Sequence, residues 1–218
     1  MKIVAAKQIL SANAQRAEEN RAKLRAAGVL GVNVVGSPGC GKTTLLEALF
    51  ATLRARLAPA VIEGDIAGAI DAERIEALGL PVVQINTEGA CHLDATMIAA
   101  ALHQLDLAGV DLLVIENVGN LVCTAGFDLG EHVRVVLLSV TEGDDKLVKY
   151  PAIFRSAHAL VITKADLLPY TNFRMERAVA DMKRLVPEAP VFPVCAPRGE
   201  GIAPVAEWLV NQRALHRA

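Results

Sequence analysis

The stretch Gly36-Ser37-Pro38-Gly39-Cys40-Gly41-Lys42-Thr43, followed by Thr44, constrains this chain more than any other part of it. Its spacing, G-x-x-x-x-G-K-T, lets backbone N–H groups turn inward around phosphate oxygens, because the glycines carry no Cβ to obstruct them. The surroundings meet the pattern's requirement: residues 31–35 read as a buried strand and residues 44–49 as a helix. The helix start adds unpaired N–H groups and the positive end of a dipole. Lys42 brings a charge to the outer phosphates, where it belongs to the catalytic set, and the Thr43 hydroxyl is placed to ligate Mg²⁺. Residues 36–44 are therefore candidate nucleotide-binding residues.

The rest of the chain alternates strand and helix. A strand over 59–65 ends in Asp65 and is followed by a helix over 66–78, closed by Gly79. A strand over 82–86 precedes a helix over 93–105, and a strand over 111–119 runs into Glu116 and Gly119. Strands over 133–140 and 159–166, a helix over 172–185, a strand over 191–195 and a helix over 202–213 complete the series. Such alternation implies βαβ units and right-handed crossovers. With 53% hydrophobic but only 4% aromatic residues, the core is built of Val, Ile, Leu and Ala, as a sheet covered on both faces requires. The expectation is α/β: a three-layer P-loop NTPase fold with a mostly parallel central sheet flanked by helices. It occupies residues 29–218, behind an N-terminal helical extension over 1–28. Within that extension residues 3–27 read as an amphipathic helix stopped by Gly28, packed on the domain's flank.

Several classes are set aside by composition. A net charge of -2 without a basic run argues against nucleic acid as a partner. No uncharged apolar stretch reaches membrane-spanning length. Lys2 and Lys7 run into Arg16, Glu18 and Glu19, so no secretion signal is expected and a cytoplasmic location is. Four cysteines in that setting suggest metal or redox chemistry more than a disulfide framework.

Asp65 and Glu116 each end a hydrophobic strand at the edge where such sheets bind ligands, and Gly119 follows Glu116 by three residues. Both acids are candidate catalytic and Mg²⁺-side residues, and Gly119 a nucleotide-side turn. Thr163-Lys164-Ala165-Asp166 suits guanine: a carboxylate at Asp166 accepts from the base's N1–H and exocyclic amine, and adenine would leave it unpaired. Lys164 would lay its stem along the base plane. Cys195 and Ala196 fall where backbone N–H groups close over the base. GTP or GDP is the expected nucleotide, and a competition between GTP and ATP separates this reading from a small-molecule kinase or ATPase.

Cys91 and His92 are adjacent at the expected start of a helix, and Cys123 follows the Glu116 strand. A cysteine at a helix N-terminus has a lowered pKa, and a Cys, His, Cys set suits Zn²⁺ or Ni²⁺. Spacing alone leaves open that these cysteines simply pack. Cys40 and Cys195 read as packing thiols, and His103, His132, His158 and His216 carry no partner pattern.

The segments at 36–44, 89–95 (Gly-Ala-Cys-His-Leu-Asp-Ala), 116–123 (Glu-Asn-Val-Gly-Asn-Leu-Val-Cys) and 140–146, with Lys149-Tyr150-Pro151, together resemble the HypB family, hydrogenase maturation GTPases of the SIMIBI class. The resemblance spans almost the whole chain, and the middle two segments carry it. It implies Mg²⁺-dependent GTP hydrolysis and a Ni²⁺ or Zn²⁺ site at Cys91, His92 and Cys123 on a GTP-promoted homodimer. It also implies Mg²⁺ and switch roles for Asp65 and Glu116, nickel delivery to [NiFe]-hydrogenase, and two partners: a nickel chaperone and the hydrogenase large-subunit precursor. The chain departs from members with a His-rich tract or an N-terminal cysteine motif, its first cysteine being Cys40, so nickel storage is not expected. Lys146 is a further candidate for contact with nucleotide or the opposing subunit. The competing expectation is a GTP-gated scaffold with no part in metal delivery.

Overall fold

In the computed structural model, which describes residues 6–66, 68 and 70–216, seven strands form one sheet whose neighbouring pairs are all parallel. They are β1 (Leu30–Gly36), β2 (Pro59–Asp65), β3 (Val82–Asn86), β4 (Leu112–Glu116), β5 (Val133–Ser139), β6 (Ala159–Thr163) and β7 (Val191–Pro193). Their order is β3-β2-β4-β1-β5-β6-β7, so the sheet expected as mostly parallel is wholly so. All seven carboxyl ends share one edge, the edge that binds ligands in such sheets. Eight α-helices are described: α1 (Ala6–Ala26), α2 (Lys42–Leu53), α3 (Ile70–Glu76), α4 (Ala95–Gln104), α5 (Lys146–Lys149), α6 (Pro151–Arg155), α7 (Met175–Leu185) and α8 (Ile202–Leu215). Among the described residues none is long and apolar enough to cross a membrane.

The pleat divides each strand between two faces. Leu30, Val32 and Val34 of β1 with Leu112 and Val114 of β4 pack on α2 and α8, through Leu46, Phe50, Val205 and Leu209. Ala60, Ile62, Leu113 and Ile115 face the other way, onto Leu24 of α1 and Ile98 and Leu102 of α4. Further along that second face, Val136, Leu138 and Ile162 meet Phe154, Ala178 and Met182 of α6 and α7. Each fully buried Leu or Phe contributes about 1.5–3 kcal/mol relative to exposure.

Helix boundaries differ from expectation for local reasons. The helix expected over 66–78 spans only Ile70–Glu76. The Asp65 carboxylate accepts from the N–H groups of Ile66 (2.6 Å) and Gly68 (3.1 Å), turning the chain before a helix can start. Ala67 and Ala69 lie outside the described residues, as do the expected helix start at residue 3 and the chain's last two residues. The helix expected from residue 93 begins at Ala95, because Asp94 is its N-cap and accepts from Thr96 and Met97 N–H. The helix expected from 172 begins at Met175. The short α5 and α6, meeting at Pro151, had no period long enough to be read.

Candidate nucleotide and metal site

Gly41 caps α2 in the left-handed region (φ 93°) and offers no side chain, so the first-turn N–H groups have no capping partner. They face the cleft beside Lys42. Cys40 gives the loop its backbone, while its thiol is buried and pushed up to about 11 by that burial. Gly119 lies flat against the loop: a Cβ there would come 2.8 Å from the Cα and N of Pro38. The turn after β4 thus touches the phosphate loop backbone directly.

Thr43 Oγ1 donates to Glu116 Oε1 at 2.7 Å. Opposite Glu116 in strand register stands Glu63 of β2, and both are 3% exposed. Burial, reinforced by the Glu116 charge, pushes the Glu63 carboxyl up to about 8. Burial pushes Glu116 up to about 7, against the pull of Lys42. Each leaves its Oε2 without a hydrogen-bond partner among the described residues. With Lys42, Asp65 and Asp71 they line a cleft of about 200 Å³. Sequence reading singled out Asp65 and missed Glu63, although two residues along a strand return to the same face.

The far end of the loop forms a second cavity, of about 270 Å³, walled by Gly41, Thr44, Thr163, Lys164, Asp166, Leu167, Ala196 and Pro197. Thr163 Oγ1 donates to the carbonyl of Cys40 at 2.6 Å, and Lys164 Nζ to that of Gly39 at 2.8 Å. Both side chains therefore brace the phosphate loop from β6. Ala196 is on the wall, but the N–H of Cys195 is taken by Glu200 O at 3.0 Å. The expectation that the Cys195 N–H closes over a base is corrected accordingly.

Cys91 and His92, on the loop after β3, and Cys123, after β4, bring one ligand atom each to within 4.8 Å of one another. Among the described residues they are the only such group of His, Cys, Asp and Glu side chains. Cys91 Sγ lies 3.6 Å from His92 Nδ1. Cys91 precedes the cap of α4, so no helix start lowers its pKa. Its hydrogen bond with Cys123 and its burial hold the thiol above the usual range instead. The His92 ring stacks on Phe127 with centroids 3.9 Å apart, and burial lowers its pKa. A neutral imidazole between two thiols is a set for a soft or borderline divalent cation.

A buried polar chain joins the two regions. Asn117 N–H donates to Val34 O of β1, its Oδ1 accepts from Leu93 N–H at 3.3 Å, and its amide donates to Asn33 Oδ1 at 3.3 Å. Asn33 donates to Glu131 Oε1, which also takes Arg134, and Arg134 donates to Phe127 O at 2.8 Å. These residues were invisible to motif reading. Asn33 looks like one polar interruption of a strand. Nearby, His132 Nδ1 accepts from Gly31 N–H and His158 Nδ1 from Arg134 N–H.

Sheet, loop and paired acids define a P-loop nucleotide-binding protein. The family model described as CobW/HypB/UreG, nucleotide-binding domain, matches residues 30–193. Hydrogenase maturation factor HypB of Escherichia coli K12 is 48% identical over 205 residues, 94% of this chain and 71% of that protein. The probable counterpart in Methanocaldococcus jannaschii is 43% identical over 94% of this chain and 92% of its own length. The crystal structure of HypB from Helicobacter pylori in complex with nickel superposes with a TM-score of 0.90 at 39% identity, covering 94% of this chain and 96% of that one. HypB from Archaeoglobus fulgidus gives 0.87 at 38%, covering 93% and 99%. The chain belongs to the CobW/HypB/UreG family and, within it, to the HypB branch.

Proposed function

We propose that this chain is a Mg²⁺-dependent GTPase whose nucleotide state controls dimerisation and the delivery of nickel during [NiFe]-hydrogenase maturation. One observation carries the reading: the Cys91, His92 and Cys123 ligand atoms gather on loops that leave β3 and β4 beside the phosphate-loop cleft. The nickel complex of the Helicobacter pylori relative supports nickel as cargo, with Zn²⁺ the alternative occupant of the same donors.

In the cleft, Lys42 and the α2 N–H groups would bind the β- and γ-phosphates. The Thr43 hydroxyl and the unpartnered carboxylate oxygens of Glu63 and Glu116 fit a hard cation held partly through water, so Mg²⁺ suits the residues present. Bound there, it would neutralise charge on the transferring phosphoryl group. Asp65 sits at the cleft's rim, its carboxylate engaged by Ile66 and Gly68 N–H, and would orient the attacking water once that turn opens. Asp166 would read guanine in the second cavity, where Thr163, Lys164 and Ala196 hold its walls. Three donors from one chain leave a coordination shell incomplete, so two protomers meeting over Cys91–Cys123 would complete it. The nickel chaperone and hydrogenase large-subunit precursor would be the donor and acceptor of the metal.

Ni²⁺ and Zn²⁺ affinity and stoichiometry, measured with no nucleotide, GDP and a non-hydrolysable GTP analogue, with mass by light scattering, test this. A doubled mass with the analogue and a nucleotide-dependent metal affinity are expected. Metal binding that is absent or indifferent to nucleotide would leave a GTP-gated scaffold.

A further inference from the structure

Four residues of α1, Asn13, Ala17, Asn20 and Leu24, recur at spacings of four, three and four, which places them on one helical face. Ala17 and Leu24 are fully buried against the domain. The other two positions, where apolar side chains would serve equally to dock a helix, are amides, and Asn20 is 3% exposed.

Both amides grip backbone from the same two segments. Asn13 Oδ1 accepts from Ala95 N–H at 2.9 Å while its Nδ2 donates to Asp128 O at 2.8 Å. Asn20 Nδ2 donates to Ala95 O at 2.8 Å and to Leu129 O at 3.0 Å. Arg21 adds a two-pronged bond to the Asp128 carboxylate, 2.7 Å to each oxygen. Gly130 (φ 92°) marks how close the approach is: a Cβ there would lie 2.5 Å from Ala17 O and 2.6 Å from Asn20 Cβ. Helix and loop meet backbone to backbone.

The two segments are the supports of the thiol–imidazole cluster. Ala95 opens α4 three residues after His92, and its N–H is the first-turn donor that the Asp94 carboxylate does not take. Asp128 follows Phe127, the ring on which His92 stacks, and this stretch continues from the turn that begins at Cys123. A buried amide left unpaired costs about 1–3 kcal/mol. Asn13 and Asn20 are satisfied only when residue 95 and residues 128–129 stand at one fixed separation, so the pair sets the distance between the halves of the cluster.

We propose that α1 is a positioning element for the Cys91, His92 and Cys123 site, with Asn13 and Asn20 as its positioning residues. The proposal rests on the reading of that cluster as a metal site. It assigns to the N-terminal helix a part in metal chemistry that its place on the flank did not suggest.

Ni²⁺ alone is the probe, on the full chain with GDP. Affinity comes from competition with a chromophoric chelator, and ligand geometry from the thiolate-to-nickel charge-transfer band. Asn13→Ala and Asn20→Ala are expected to weaken Ni²⁺ binding about 10- to 100-fold, the usual cost of losing a support behind a ligand, and to alter the band. GDP affinity stays at the wild-type value. Val205→Ala, on α8 across the sheet, supplies a destabilised control expected to change neither affinity nor band. Asn13 is only half-buried, so its variant folds even if Asn20→Ala does not. A wild-type affinity and band in Asn13→Ala would overturn the positioning role, as would an equal loss in Val205→Ala. If wild-type protein takes up no Ni²⁺, the metal-site reading falls first and the positioning role with it.

Discussion

Glu116 and Asn117 are consecutive, yet they serve opposite faces of the sheet. Glu116 accepts from the Thr43 hydroxyl at 2.7 Å, on the side of the phosphate loop. Asn117 accepts from Leu93 N–H at 3.3 Å, next to His92. The pleat at the end of β4 therefore hands one neighbour to the phosphate loop and the other to the cysteine loop, and a shift of this turn would move both together.

Asn117→Ala should uncouple the two sites. Metal affinity in wild type is expected to change about 5- to 150-fold with nucleotide, the span of ordinary coupling energies. In the variant that ratio should collapse towards unity while metal and nucleotide each still bind. Paired titrations with GDP and a GTP analogue measure it, and an unchanged ratio would remove Asn117 from the coupling.

Asp166→Asn should lower GTP affinity about 100-fold or more, since the amide keeps one acceptor oxygen but turns its NH2 onto the second guanine donor. One hydrogen bond to a charged acceptor, worth about 1.5–3 kcal/mol, is replaced by a donor–donor clash and the other loses its charge. ATP binding should barely move. Competition with a fluorescent guanine nucleotide reads the difference, and parallel losses for both nucleotides would contradict a base-reading role.

The Glu63 carboxyl, raised from an ordinary 4.5 to about 8, makes a stability prediction whose sign is fixed. Between those two values the unfolded chain has released a proton that the folded chain still holds. Stability of the nucleotide-free protein is therefore greatest below pH 4.5 as far as this group is concerned, and is lost as pH rises through about 8. Glu63→Gln should flatten that slope and raise the melting temperature at pH 8 by several degrees, each kcal/mol being worth about 2–4 °C for a domain of this size. Melting curves from pH 5 to 9 decide it. The histidines held neutral by burial push total stability the other way, so the difference between wild type and Glu63→Gln is the readout. A difference that does not change over that range would refute the assignment.

Cys91→Ala or Cys123→Ser should reduce Ni²⁺ affinity by about 100-fold or more, because a thiolate ligand is lost outright. Wild-type affinity should climb with pH, as the raised Cys91 thiol must give up its proton to the incoming metal. Isothermal titration in buffers of different ionisation enthalpy counts the protons released. Metal uptake without proton release would exclude thiol ligation.

Residues 36–44 and the strand–helix alternation were enough to read the sheet and its ligand edge, because glycine spacing and apolar runs are local signals. Cys91, His92 and Cys123 were legible as residue types, but their meeting depends on the loops after β3 and β4 being brought together across β2 in the sheet, which no local pattern records. Glu63 went unread because Asp65, ending the same strand, drew the argument. Asn13, Asn20, Asn33 and Asn117 were hidden for a deeper reason: a buried amide is defined by partners distant in the chain, such as Asp128 for Asn13. The short turn at Asp65 and the cap at Asp94 moved two helix starts, since side-chain oxygens took N–H groups that periodicity assigned to helix.

His132 and His158 each use the Nδ1 lone pair to accept a backbone N–H, from Gly31 and Arg134. Their remaining nitrogens must then carry the hydrogen, which leaves neither ring an electron pair to offer a cation. In a chain with an open thiol–imidazole cluster, these two imidazoles are disarmed as competitors. Burial strengthens the lock, holding His132 neutral down to about pH 4. A cation arriving at this surface would find these two imidazoles already engaged by main-chain hydrogen bonds.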